Sequence, residues 1–283
     1  MKEVKYEVID HHSMWGWPPS NSTQEEAEVM FVWNDFTMAE DVKRWQKQGK
    51  KVVVFEHGWN SFFDYEVNKK TYMADYYLAL GKNSKDSLMR CKIPEEKILI
   101  AGNRNFDNLK TEEKEHKKPR VLYTALHWFS DRTAYNSEKL KEVVRVLGSS
   151  ADITVKTMSD TRINIPDNVG AWFTNVHSNR NLFKEMAQGL SDYDIVLTPK
   201  ESTFDFIALL VGKKVFRIGH GGEYRDEKQD KTRNILPLSD ISPDLLVKER
   251  ELLVDLKDEL SPSLDLEEVL EFVSVRGGIM YRG

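Results

Sequence analysis

Short β-branched runs that stop at a glycine or a polar residue, each followed by a helix-like stretch, constrain this chain more than any other feature. The clearest series lies between Lys51 and Leu109. There KVVVFEHG closes in Glu56-His57-Gly58, ADYYLALG leads into Gly81-Lys82-Asn83-Ser84, and KILIAG closes in Gly102-Asn103. Short runs that are apolar on both faces suit parallel strands covered by helices. Strand candidates are 4–10, 28–34, 51–57, 76–80, 97–102, 120–125, 151–157, 170–174, 193–199 and 213–219. Helix candidates are 39–48, 84–91, 137–148, 181–191, 203–212 and 264–274. This alternation predicts βαβ units and an α/β fold with parallel sheets. Open sheets of that kind bind ligands outside the carboxyl ends of their strands. Polar residues recurring at those ends point to a cleft with chemistry in it.

A length of 283 residues corresponds to about two domains. The stretch KTEEKEHKKP at 110–119 has no apolar period and ends in Pro119, so it reads as a solvated linker. The expected division is residues 1–112 and 113–283, two Rossmann-like domains whose strand ends face one cleft. The chain is 40% hydrophobic and 31% charged, with a net charge of -5. That is a soluble globular profile without the basic field of a general polyanion binder. A single cysteine, Cys91, rules out an internal disulfide and a cysteine zinc cluster, and a reducing cytoplasm is the expected compartment. The N-terminal MKEVKYEVID lacks a signal-peptide apolar region, and no apolar run is long enough to span a membrane.

Candidate site residues sit where strands end. His57 has the chemistry of a general base, with Glu56 and Asp64 as substitutes. Thr124, His127 and Lys156 end or follow strands of the second half. Ser202 and Thr203 open a helix after Lys200. Hydroxyls there are first of all caps, and a helix N-terminus is also an anion site. Arg217 and Arg225 flank the loop Gly219-His220-Gly221-Gly222 and are of a type that pairs with a diphosphate. In HHSMWGWPP, His11, His12, Trp15 and Trp17 follow the first strand, and Trp59 follows His57-Gly58. These aromatics suit stacking on a sugar or base, or a plug over the core. No metal site is expected, because adjacent histidines point in different directions on most backbones.

Three segments together resemble glycosyltransferases of the two-Rossmann GT-B type: the strand ending in His57-Gly58, the block ADYYLALG…IPEEKILIAGNRNFDNL, and VLTPKESTFDFIALLVGKKVF. The nearest families are the CDP-glycerol glycerophosphotransferases and the UDP-N-acetylglucosamine 2-epimerases, and the resemblance covers roughly residues 50–218. It implies a transferase that uses a nucleotide-activated donor as co-substrate and no other cofactor. By resemblance, His57 is the general base near the acceptor, and Ser202 and Thr203 contact the donor phosphates. Trp59-Asn60-Ser61 stands where the transferases often carry a lysine. The epimerases' paired glutamates would fall on Phe206 and Ile207.

The function expected is transfer of a sugar or a glycerophosphate-like group from a nucleotide sugar or CDP-activated donor to a hydroxyl acceptor. Donor binding is assigned to Thr124, His127, Lys156, Lys200, Ser202, Thr203, Arg217 and Arg225. Acceptor binding is assigned to His11, His12, Trp15, Trp17 and Trp59. A DNA-base hydroxymethyl group, the acceptor of some phage glycosyltransferases, is a minority reading that the net charge does not favour. The alternatives are a nucleotide-sugar 2-epimerase and a catalytically silent nucleotide-binding protein.

Overall fold

The computed structural model describes residues 4–9, 19–56, 58, 72–112, 114–125, 133–158, 163–174, 182–198, 202–219, 235–237 and 260–277. The strands and helices read from the sequence are all present, with ends shifted by a few residues. The chain divides into two compact units: Met1–Asp107 with Asp255–Gly283, and Asn108–Val254.

The first unit contains β1 (Tyr6–Ile9), β2 (Val29–Val32), α1 (Ala39–Lys47), β3 (Lys51–Phe55), β4 (Tyr76–Ala79), α2 (Lys82–Arg90) and β5 (Ile98–Ile100). Its five strands are all parallel and stand in chain order, β1-β2-β3-β4-β5. Strand side chains alternate between two faces. Met30, Val32, Val52, Val54 and Tyr77 pack with Val42 and Trp45 of α1 and Leu88 of α2. Val29, Phe31, Val53, Phe55 and Leu78 pack with Val269 and Val273 of the last described helix, Leu266–Gly277.

That second contact follows from the strand order. Right-handed crossovers between sequential parallel strands put their helices on one face, so the other face needs cover from elsewhere. The segment from residue 260 supplies it. Ser261 N–H donates to Leu80 O at 2.9 Å and Leu264 N–H to Ala101 O at 3.0 Å. Gly102, at φ +62°, permits the close pass, because a Cβ there would lie 2.5 Å from Ser261 O. The expected domain of residues 113–283 therefore differs from the structure at its C-terminal end, where the last helix belongs to the first unit's core.

The second unit contains β6 (Arg120–Thr124), α3 (Thr133–Leu147), β7 (Asp152–Met158), β8 (Gly170–Thr174), α4 (Leu182–Gly189), β9 (Ile195–Thr198), α5 (Thr203–Leu210), β10 (Lys214–Gly219) and β11 (Ile235–Pro237). The helix Leu266–Gly277 of the first unit is α6. The second sheet is parallel throughout, in the order β11-β10-β9-β6-β7-β8. The chain runs outward from β6 through β7 to β8, returns to the centre as β9, and runs outward the other way. Strand order thus reverses between β6 and β9. On one face Leu140, Val143 and Leu147 of α3 join Val121, Tyr123, Val155 and Leu197. Elsewhere Trp172 stacks on Tyr193 with ring centroids 5.8 Å apart and meets Phe204 edge-on at 5.5 Å.

The polar stretch 110–119 is less solvated than a free linker. His116 Nδ1 lies 3.2 Å from Asp194, whose Oδ2 also accepts Arg120 N–H at 2.8 Å. Lys114 pairs with Asp192 at 2.6 Å.

Candidate functional site

The reversal point of the second sheet brings together polar side chains far apart in sequence. Thr124 closes β6 and Thr198 closes β9, the two strands flanking the reversal. Lys156 of β7 stands beside Thr124 in the parallel register. Thr124 Oγ1 donates to Leu197 O at 3.5 Å, bridging β6 to β9. In open α/β sheets this crevice, outside the strand ends at a switch in strand order, is the ligand position.

Helix α5 starts at the same edge. Its sequence, TFDFIALL, is apolar on nearly every side, and Phe204 through Ala208 are buried. Ser202 is the N-cap, and its Oγ accepts the Asp205 N–H at 3.4 Å. Asp205 is an acid in this apolar helix with only 2% of its surface exposed. Its Oδ2 accepts two hydroxyl protons, from Ser202 Oγ at 2.9 Å and Thr198 Oγ1 at 3.1 Å. Among the described residues its buried Oδ1 has no hydrogen-bond partner. Burial pushes the Asp205 carboxyl up to about 7, against the hydroxyls of Ser202 and Thr198 and the charge of Lys156.

Lys156 is the cationic counterpart. It is 9% exposed, and its Nζ lies 4.5 Å from the centroid of the Phe204 ring. Burial pushes its ammonium down to about 8, opposed by the charge of Asp205. Among the described residues no carboxylate lies within ion-pair reach of Nζ. A buried ammonium resting on an aromatic face, without a directly bonded anion, leaves donors for a ligand oxygen. Lysine, helix N-terminus and hydroxyls together make a site suited to phosphate.

The structure therefore groups Thr124, Lys156, Ser202 and Thr203 at one edge of one sheet. Arg217 lies on β10 in register with Thr198, and its side chain is outside the described residues. His11, His12, Trp15, Trp17, His57, Trp59, Asp64, His127, Lys200 and Arg225 also lie outside the described residues. Thr198 and Asp205 escaped the sequence reading. Ser202-Thr203-Phe204-Asp205 carries the signal that would have found Asp205: a hydroxyl cap followed three residues later by an acid.

The first unit's strand ends are polar for a different reason. Glu56 is fully buried and accepts Leu80 N–H at 3.0 Å. Asp35 Oδ2 accepts Met73 N–H at 2.7 Å, Ala74 N–H at 3.0 Å and the Tyr77 hydroxyl at 2.8 Å. Asn103 Oδ1 accepts Asn105 N–H at 2.9 Å. These side chains satisfy backbone donors where the ladders stop, so polarity at a strand end is not by itself a sign of catalysis.

By sequence, no protein family and no curated protein matches the chain. By structure, several solved proteins do. MnaA of S. aureus, solved with UDP, has a TM-score of 0.58 at 13% identity, over 90% of this chain and 76% of its own. The UDP-GlcNAc 2-epimerase of Methanocaldococcus jannaschii has a TM-score of 0.54 at 14% identity, over 89% and 77%. The glycosyltransferase SnogD of Streptomyces nogalater has a TM-score of 0.52 at 13% identity, over 89% and 73%. The fold is GT-B-like. The likeness covers both units and is one of fold, because identities this low carry no site residues with them. No described helix is long and apolar enough to cross a membrane.

Proposed function

We propose that the chain is a metal-independent transferase that moves a sugar or glycerophosphate-like group from a nucleotide-activated donor to a hydroxyl acceptor. The observation that carries this reading is the convergence of Lys156, Thr124, Ser202 and the N-terminus of α5 at the switch in strand order. Two proteins of similar fold were solved with UDP or UDP-GlcNAc, and that supports a nucleotide-sugar donor.

In this mechanism the donor diphosphate lies against the first turn of α5 and accepts hydrogen bonds from Lys156. Arg217 or Arg225 adds positive charge, and His127 and Lys200 also contribute to donor binding in this reading. Positive side chains and a helix dipole then stabilise the leaving diphosphate, so no metal is required. His57 takes the acceptor's hydroxyl proton, the acceptor oxygen forms the new bond, and the nucleotide leaves. His11, His12, Trp15, Trp17 and Trp59 contact the acceptor. Glu56, bonded to the Leu80 amide, serves in this reading as the support of the strand end that carries His57.

Transfer is preferred to epimerisation on one observation. Phe206 and Ile207, where the epimerases' paired glutamates would fall, are fully buried core residues. The test is a thermal-protection screen with UDP-, CDP-, GDP- and TDP-sugars and CDP-glycerol, followed by product analysis. Selective stabilisation should follow mass action. His57→Ala should abolish turnover and keep donor binding; retained turnover would reject the base assignment. Release of an epimer without any acceptor would replace transfer with epimerisation, and tight nucleotide binding with no product from any acceptor would favour the silent protein.

A further inference from the structure

The proposed donor site contains a carboxylate with no evident part in binding an anion. Asp205 stands in the first turn of α5, where a negative charge opposes the ligand that the site would take. Its position is over-determined, with Thr198 from β9, Ser202 from the cap and its own backbone all bonded around it. An ionised Asp205 holds both hydroxyl protons inward. Each hydroxyl has one proton, so Ser202 then has none to offer a phosphate oxygen.

We propose that Asp205 is a proton-coupled positioning residue of the donor site: it turns the Ser202 hydroxyl inward while ionised, and releases it toward the donor diphosphate on taking up a proton. The inference rests on the donor reading above. The proton comes from solvent and forms an O–H bond on the carboxylate, and no other bond is made or broken. That proton goes onto the buried Oδ1, which has no hydrogen-bond partner among the described residues; Oδ2 then becomes the oxygen of a neutral acid, a weaker acceptor that lets the Ser202 hydroxyl turn away. Lys156 supplies the positive charge that remains when Asp205 is neutral.

Among the described residues the surrounding charges are few. Among them, Lys156 of β7 is the charged group that acts on Asp205. Lys184 and Glu185 of the neighbouring α4 are exposed, and Lys213 and Lys214 stand beyond the opposite end of α5. A carboxyl raised to about 7 beside an ammonium lowered to about 8 places both protonations near neutrality. A diphosphate adds negative charge, which favours the protonated form of each group. Binding therefore takes up protons and weakens as pH rises.

The experiment is calorimetric titration of the full chain with UDP-N-acetylglucosamine and the other nucleotide sugars of the screen, from about pH 6 to about pH 9, in buffers of different ionisation heat. These donors are pyrophosphate diesters with no phosphate proton to lose near neutrality. The expected result is proton uptake on binding and an affinity loss of about tenfold across the range, the effect of a one-unit shift. Asp205→Asn should flatten the lower arm of the profile, and Lys156→Arg the upper arm only. Ser202→Ala, which keeps the carboxyl, should shrink the pH dependence as well. Binding without proton uptake, or an Asp205→Asn profile matching the parent's, overturns the proton-coupled role and leaves the donor site standing. Failure of every nucleotide sugar to bind overturns both.

Discussion

Lys156 and Asp205 are the residues on which stability and function pull apart. Each is buried and each is driven toward its neutral form, so each costs folding energy that an apolar side chain would not. Lys156→Met should therefore raise Tm at neutral pH by a few degrees while abolishing nucleotide protection, as expected where a strained site is kept for function. A structural lysine would lose Tm instead. For Asp205 the folded pKa lies above the unfolded one, so its stabilising contribution is complete below about pH 4 and is lost as pH rises through about 7. The Tm of Asp205→Asn relative to the parent should move in the variant's favour between those limits. A constant difference across that range would contradict the assigned burial. At this scale the sequence was only partly legible. Ser202, Thr203, Thr124 and Lys156 were visible because each stands at the end of a recognisable strand or the start of a helix. Thr198 and Asp205 were not, because what distinguishes them is burial and mutual contact across a turn. Glu56, a strand-end carboxylate legible in the sequence as a substitute base, accepts the Leu80 amide, a contact that no local pattern announces.

The elements were legible because their signals are local. Runs such as KVVVF, YYLAL and RVLYT are short, β-branched or aromatic, and bounded by turn residues. The three-residue β11 was missed, since ILP is too short to carry a period. The return of α6 to the first unit was missed for another reason. It follows from the strand order of that sheet, a long-range fact that leaves no local mark on residues 264–274. Gly102 is where this long-range packing is most exposed to mutation. Gly102→Ala combines a left-handed backbone with a Cβ 2.5 Å from Ser261 O, and should cost about 2–3 kcal/mol, the upper part of the range for overpacking. Chemical denaturation would measure it, and a loss below about 0.5 kcal/mol, the scale of a neutral surface change, would contradict the packing of residues 261–264 against this strand end.

On the scale of the whole molecule, two parallel sheets of different order differ in what stands at their strand ends. The first, in strict chain order, has Asp35, Glu56 and Asn103 at its strand ends bonded to backbone and sheet neighbours. The second reverses at its centre and collects lysine, hydroxyls and a helix start at the reversal. Among the described residues no group of three or more His, Cys, Asp or Glu could hold a metal. The proposed reaction, in which positive side chains and a helix N-terminus stabilise the leaving diphosphate, should proceed unchanged in excess EDTA, and loss of turnover restored by a divalent cation would contradict the metal-independent mechanism. The central claim is that the donor diphosphate binds at the reversal between β6 and β9. A crystal structure of the chain with the most protective nucleotide sugar tests it most directly. The account predicts phosphate oxygens within hydrogen-bond distance of Lys156 Nζ and the first turn of α5; a diphosphate bound elsewhere, with no phosphate oxygen at Lys156, would contradict it.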